Sequence, residues 1–244
     1  MLISIVIPVL NEEKYLPIIL DSFVSQTDKD FEVIIADSHS EDKTLEKANE
    51  FKNKLNLKII EAERKNVAHQ RNAGGNAAGG EAIVFLDADY IVKKDFIEKA
   101  NNILTNKNID LIIPFSYPIT KNPLWIFYFF IQNYICNFSG LLGRPFGVAS
   151  AVVIRKEAYN KNNYNEEVYV FEDQHFFQTA KKSGLRIKYL PNLNTYFSLR
   201  RIEEDGVWGY FYFNVYATFY YIFKGPVYKK FYNYRMGGGV KNNK

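Results

Sequence analysis

Two rhythms of apolar residues alternate along the first half of the chain. Residues 4–10 (SIVIPVL) and 31–37 (FEVIIAD) are nearly unbroken apolar runs, as in strands covered on both faces. Between them Leu16, Ile19, Leu20, Phe23 and Val24 recur at the spacing of a helix that buries one side. Leu45, Ala48 and Phe51 predict a second helix, residues 57–60 (LKII) a third strand, and residues 67–78 a helix of small residues. Residues 81–86 read as a central strand, 96–104 as a helix and 109–115 (IDLIIPF) as a further strand. Strands separated by helices imply βαβ units with right-handed crossovers, hence an α/β class with a parallel sheet.

The pattern loosens after residue 118. Residues 149–155 (ASAVVIR) predict another strand, 171–184 a helix closed by Gly184, and 186–191 and 195–200 two short strands that extend the same sheet. Two stretches, 122–143 and 206–223, contain no charged residue. Both are interrupted by amides, Gln132, Asn133 and Asn137 in the first and Asn214 in the second. Eighteen helical residues reach about 27 Å, short of a hydrocarbon core of about 30 Å, and Tyr favours the headgroup boundary. Interfacial helices are therefore expected over spanning ones, with Asn133, Asn137 and Gly140 of the first forming a polar stripe. Packing on the sheet or a contact between subunits is the competing explanation. Lys224, Lys229, Lys230, Arg235, Lys241 and Lys244 follow without an acid, in a tail expected to be mobile and attracted to anionic surfaces.

Composition narrows the chemistry. At 244 residues one large domain is expected, and 31 Lys+Arg against 27 Asp+Glu is too even for a nucleic-acid-binding surface. Aromatics make up 16% of the chain, with 20 Phe and 18 Tyr. One cysteine, Cys136, and three histidines, His39, His69 and His175, supply neither a disulfide framework nor a thiolate zinc site. The chain starts directly on strand-like sequence with no secretory signal, which fits a cytoplasmic location.

Acids cluster where strands end. Asp87 and Asp89 close one strand, Asp37 another, and Glu12 and Glu13 follow the first. In open α/β sheets ligands bind outside the carboxyl ends of the strands. Carboxylates at alternate positions of an extended segment face one way, and two like charges so placed need a cation; magnesium or manganese bound with nucleotide phosphates is the natural one. The plainer reading makes Asp89 a helix cap and Asp87 a turn residue. Glu172 and Asp173 open a helix, where the helix dipole alone favours acids.

IVIPVLNEE (5–13), ADSHSEDKT (36–44), AHQRNAG (68–74), FLDAD (85–89), FEDQHF (171–176) and FSLRR (197–201) stand in an order and spacing in which the chain resembles a family 2 glycosyltransferase. The resemblance implies a GT-A fold: a Rossmann-like, mixed but mainly parallel sheet flanked by helices, with an acceptor-side extension. It makes 1–205 the catalytic domain, with a nucleotide-binding half (1–118) and an acceptor-side half (119–205), followed by an aromatic then basic segment (206–244). It implies that Pro8, Glu12 and Asp37 hold the nucleoside, that Arg71 approaches the nucleotide diphosphate, and that Asp89 ligates a divalent metal with Asp87 on ribose or in the metal's shell. Asp173 is then the general base of an inverting transfer, and Arg200 and Arg201 are diphosphate contacts. The implied partners are a nucleotide-diphosphate sugar and a hydroxyl or phosphate acceptor; the two uncharged aromatic stretches and the basic tail add the expectation that the acceptor is lipid-linked or a cell-surface glycan precursor, met at the inner face of the cell membrane, and a homo-oligomer fits as well.

Two departures bear on this expectation. Phe197 stands where many relatives carry a metal-reaching histidine, and no Gln-x-x-Arg-Trp motif of processive synthases is present, so one sugar per acceptor is expected. The rival readings are a nucleotidyltransferase acting on sugar phosphates, which the acidic loop Leu10-Asn11-Glu12-Glu13 disfavours, and a non-catalytic sugar-nucleotide-binding module, which the presence of Asp89 and Asp173 disfavours.

Overall fold

The computed structural model describes residues 1–106, 108–148 and 151–228, with backbone only for residues 201, 205, 210, 211, 213–215, 217 and 222. Among the described residues the strands are β1 (Ile3–Val9), β2 (Phe31–Asp37), β3 (Leu57–Glu61), β4 (Ala82–Phe85), β5 (Tyr90–Val92), β6 (Leu111–Pro118), β7 (Val152–Arg155) and β8 (Ile187–Phe197). They form one eight-stranded sheet in the order β3-β2-β1-β4-β7-β6-β8-β5. The first four are mutually parallel, β7 runs antiparallel to both its neighbours, β6 and β8 are parallel, and β5 is an antiparallel edge. The sheet is therefore mixed and mainly parallel, as expected.

The period of two in the strands divides the core. Ile3, Ile5, Ile7 and Val9 of β1 face one layer with Val33 and Ile35 of β2, where α1 (Leu16–Val24) and α4 (Phe96–Asn106) bury Leu16, Ile19, Leu20, Phe23 and Phe96. Val6 and Ile34 face the opposite layer with Ile83, Phe85, Ile113 and Ile154, covered by α3 (Val67–Ala77) and α7 (Glu172–Lys182). Both faces of β1 and β2 are thus dry, which is why their sequences read as continuous apolar runs. α3 lies unusually close to the sheet because a Cβ at Gly74 would stand 2.3 Å from Val6 Cγ1. The small residues expected there serve this approach.

Pro8 marks where the sheet opens. The Val6 carbonyl accepts from Leu86 N–H, so Val6 and Pro8, two residues on, face the β4 side. β4 pairs with β1 only as far as Val6↔Phe85, so the N–H that proline lacks would have had no ladder partner.

Several expectations are corrected. The two strands expected at 186–191 and 195–200 are one strand, β8, whose register with β6 jumps from Pro114↔Leu190 to Phe115↔Asn194. The polar-looking interruption is a bulge that drives Leu193 fully into the core. Three short elements had no sequence signal strong enough to predict them: β5, α6 (Lys156–Lys161) and α8 (Arg200–Asp205). The helix at 122–143 exists as α5 (Pro123–Leu141), capped by Asn122, and of the expected polar stripe Asn133 is turned into the protein. Asn133 faces inward, accepting from Ser116 N–H at 3.0 Å and donating to the Ser116 carbonyl at 2.9 Å, beside buried Phe129. Its apolar flank faces out. The second uncharged stretch forms α9 (Val207–Lys224), and the basic tail from residue 229 lies outside the described residues. Among the described residues no helix is long and apolar enough to cross a membrane.

Candidate active site

Three loops meet at the carboxyl edge of the parallel strands. The loop after β1 places Asn11 at φ 56°. There its N–H donates to Ser40 Oγ at 2.9 Å and its carboxamide oxygen accepts from Glu41 N–H at 2.8 Å. Glu12 N–H donates to Thr44 Oγ1 at 2.7 Å, so the β1 and β2 loops are one unit. Asp37, buried at the end of β2, accepts from Ser40 N–H at 3.1 Å. Pro8 is buried beneath this edge.

α3 works as the hub, because three consecutive residues reach in three directions. Gln70 donates to the carbonyls of Val9 (2.7 Å) and Ala36 (3.0 Å), holding the ends of β1 and β2 together. Asn72 donates to the Tyr164 carbonyl and to Glu166 Oε1, at 2.8 and 2.9 Å, and fixes the segment before α7. His69 Nδ1 lies 2.9 Å from the other Glu166 oxygen. Burial alone would raise the Glu166 carboxyl, but hydrogen bonds from Asn72 and His69, with the charges of His69 and Arg64, hold it below its ordinary range.

Between them, Arg71 points into the acids. Its side chain is only 1% exposed, and Nη1 donates to Glu172 Oε1 and Asp173 Oδ1 while Nη2 donates to Asp87 Oδ1, each at 2.9 Å. Its Cζ lies 5.2 Å from the centre of the Tyr164 ring, which stacks on Phe176 of α7 at 4.2 Å. Burial works against the guanidinium charge, but Asp173 first and Asp87 next more than offset it, so the group is held well above its ordinary range.

A second arginine serves the other half of the edge. Arg200, buried at the start of α8, forms a two-pronged pair with Glu12 at 2.6 and 2.7 Å, and its Nε lies 3.0 Å from Asp89 Oδ2. Its Cζ sits 4.4 Å from the centre of the Tyr15 ring. Burial pushes the Glu12 carboxyl up despite Arg200, helped by the charges of Asp89 and Asp87.

Of the expected residues, the fold therefore brings together Glu12, Asp89 and Arg200 in one cluster and Arg71, Asp87, Glu172 and Asp173 in another. Asp37 lies on the same edge. Arg201 is in α8 with its side chain outside the described residues. One premise is corrected: Asp87 and Asp89 are not on an extended segment. β4 stops at Phe85, and the Asp87 carbonyl accepts from Tyr90 N–H in a turn that buries Ala88 in the core. Asp87 pairs with Arg71 and Asp89 with Arg200. Arg71 and Arg200, expected as diphosphate contacts, are engaged with carboxylates. Gln70, Asn72 and Glu166 had no role in the sequence reading; Gln70 and Asn72 flank Arg71 in the motif that drew attention to it.

Two carboxylates in one turn are hard oxygen donors that fit magnesium or manganese, provided phosphate and water complete the shell. Among the described residues no cluster of three potential ligands forms a cage by itself. Phe197 is part of an aromatic cluster, 5.0 Å from the ring centre of Phe129, and offers no third ligand.

Comparison with known proteins identifies the family. The family described as Glycosyl transferase family 2 matches residues 4–162. The chain belongs to that family. It is 27% identical over 210 residues to the poly(ribitol-phosphate) beta-N-acetylglucosaminyltransferase TarS of Staphylococcus aureus, covering 82% of this chain and 36% of that protein. It is 27% identical over 213 residues to the cholesterol galactosyltransferase of Borreliella burgdorferi, covering 78% of this chain and 58% of that protein. The chain thus spans between about a third and just over half of these relatives. Among solved structures, a mannosyltransferase from Pyrobaculum calidifontis in complex with GDP-Man and Mn2+ superposes with a TM-score of 0.65 at 20% identity, over 80% of this chain and 56% of that one. The fold of this family 2 chain is accordingly the GT-A type.

Proposed function

We propose that this chain is an inverting glycosyltransferase that moves one sugar from a nucleotide-diphosphate sugar to an acceptor hydroxyl or phosphate. The observation that carries the reading is the Arg71 bridge: one buried guanidinium ties Asp87, on the donor-binding edge, to Asp173 at the start of α7, 2.9 Å to each. The group that would take a proton from the acceptor is thereby fixed relative to the edge where the donor's diphosphate would sit. Family membership and the relatives' names support the reaction class, and the cholesterol galactosyltransferase shows that a relative takes a lipid as acceptor.

In the reaction the acceptor oxygen attacks the anomeric carbon as its proton passes to Asp173, and the bond from that carbon to the β-phosphate oxygen breaks, releasing nucleoside diphosphate. A divalent cation on Asp89 and Asp87 would neutralise charge developing on that leaving group. Once Asp173 is protonated, Arg71 keeps Asp87 and Glu172 as counter-charges, so the buried cation is never left alone. Asp37, Glu12 and Pro8 would hold the nucleoside, and Arg200, with Arg201 next to it in sequence, would serve the diphosphate.

The test is the Asp173→Asn variant. Turnover falls by about 100-fold or more, since general-base assistance is typically worth that much, while donor affinity stays near wild type. Near-normal turnover would reassign the base, with Glu172 next in line.

A further inference from the structure

The outward flank of α5 is apolar from end to end. Leu124, Phe127, Ile131, Ile135, Phe138 and Leu142 follow at three- and four-residue steps and are 76, 64, 41, 61, 62 and 69% exposed. The helix cannot roll to hide them. Phe129 packs on Phe197, Asn133 is bonded to both backbone groups of Ser116, and a Cβ at Gly140 would come within 2.4 Å of the Tyr189 ring. Single exposed apolar residues are ordinary, whereas a continuous stripe along a helix marks a surface that meets something.

The charges say what. Across residues 111–154 the chain has only two charged side chains, Lys121 and Arg144, both basic, both exposed, one just beyond each end of α5. A helix of 19 residues, roughly 28 Å long, with an apolar flank and cationic ends matches a flat anionic lipid surface. A second copy matches poorly. Antiparallel pairing across this flank would set Lys121 against Arg144 of the copy, and parallel pairing would set each against itself, like charge on like in both cases. Spanning is excluded for α5 by its inner side, which is committed to β6 and β8.

We propose that α5 lies in the headgroup layer of a membrane containing anionic lipid, with this flank inserted and Lys121 and Arg144 on lipid phosphates. The inference stands on the exposed flank and its charges, independently of the transfer reaction, and its test reads lipid binding alone. The full chain is floated at low salt with phosphatidylcholine vesicles, with and without phosphatidylglycerol. Wild type floats with the anionic vesicles. Phe127→Asp with Phe138→Asp lowers binding by about tenfold or more, because two inserted rings become charges, and leaves the melting temperature unchanged because both positions are exposed. Lys121→Glu with Arg144→Glu removes the preference for phosphatidylglycerol. Should the ring variant unfold, Leu124→Gln with Leu142→Gln at the helix ends replaces it with the same expectation. Wild type remaining at the bottom of the gradient overturns the proposal. So does a ring variant that floats like wild type, which would move binding to another segment, or a wild-type dimer that fails to float and that the ring variant makes monomeric, which would make the flank a subunit contact.

Discussion

A single buried guanidinium decides how the acids of this site can coexist. Asp87, Glu172 and Asp173 come from two distant parts of the chain, and all three reach Arg71 at 2.9 Å. Removing Arg71 would take its counter-charge from three carboxylates, and breaking a buried pair by deleting one partner typically costs about 3–5 kcal/mol. Arg71→Met is therefore expected to lower stability by about that much in denaturant unfolding, with the midpoint falling and the slope unchanged. A loss below about 1 kcal/mol would mean that the acids are solvated or protonated without it. At this scale the sequence showed which residues gather at this edge better than how they pair. The acids and arginines were visible as motifs, but Arg200 on Glu12 spans 188 positions, and no local pattern reports a contact of that range. The reading of Asp87 and Asp89 as neighbours on an extended segment failed for a local reason: the chain leaves the strand after Phe85 and turns, burying Ala88.

Elements were legible in proportion to their period. β1, β2, α1 and α4 announce themselves because both faces of each strand and one face of each helix are dry. β8 was read as two strands because its bulge carries Pro191 and Asn192, residues that signal a break, and only pairing with β6 across the bulge shows continuity. The inward turn of Asn133 in α5 was not legible because a buried Asn satisfied by backbone cannot be told from a solvated one by composition. α3 offers the clearest test at this scale. Its contact with β1 depends on Gly74 having no side chain, and it holds Gln70, Arg71 and Asn72 in place. Gly74→Val must push the helix off Val6, costing about 1–3 kcal/mol as overpacked cores do. Activity should fall beyond what the lost stability explains, because Arg71 and Asp173 separate. Full activity in a folded Gly74→Val protein would mean the hub tolerates displacement.

For the whole molecule, a mixed sheet with parallel strands β3, β2, β1 and β4 on one side gathers three acid-bearing loops at one edge, and the antiparallel strand β7 joins them to the half that delivers Asp173. The proposed division into a donor edge and a base-bearing helix follows the order of the motifs in the sequence. The direction of β7 was not legible there, because strand direction depends on pairing partners that periodicity does not reveal. The account's central claim is that this edge binds a nucleotide-diphosphate sugar. The most direct measurement is thermal unfolding of the full chain against UDP-, GDP- and dTDP-sugars, each with and without manganese. A donor present at 100 times its dissociation constant adds about 2.7 kcal/mol, which for a chain of this size is roughly 5–10 °C. At least one donor should raise the melting temperature by that order, more with manganese than without, and the shift should shrink in Asp89→Ala; a melting temperature unmoved by every donor, with and without metal, would contradict the account.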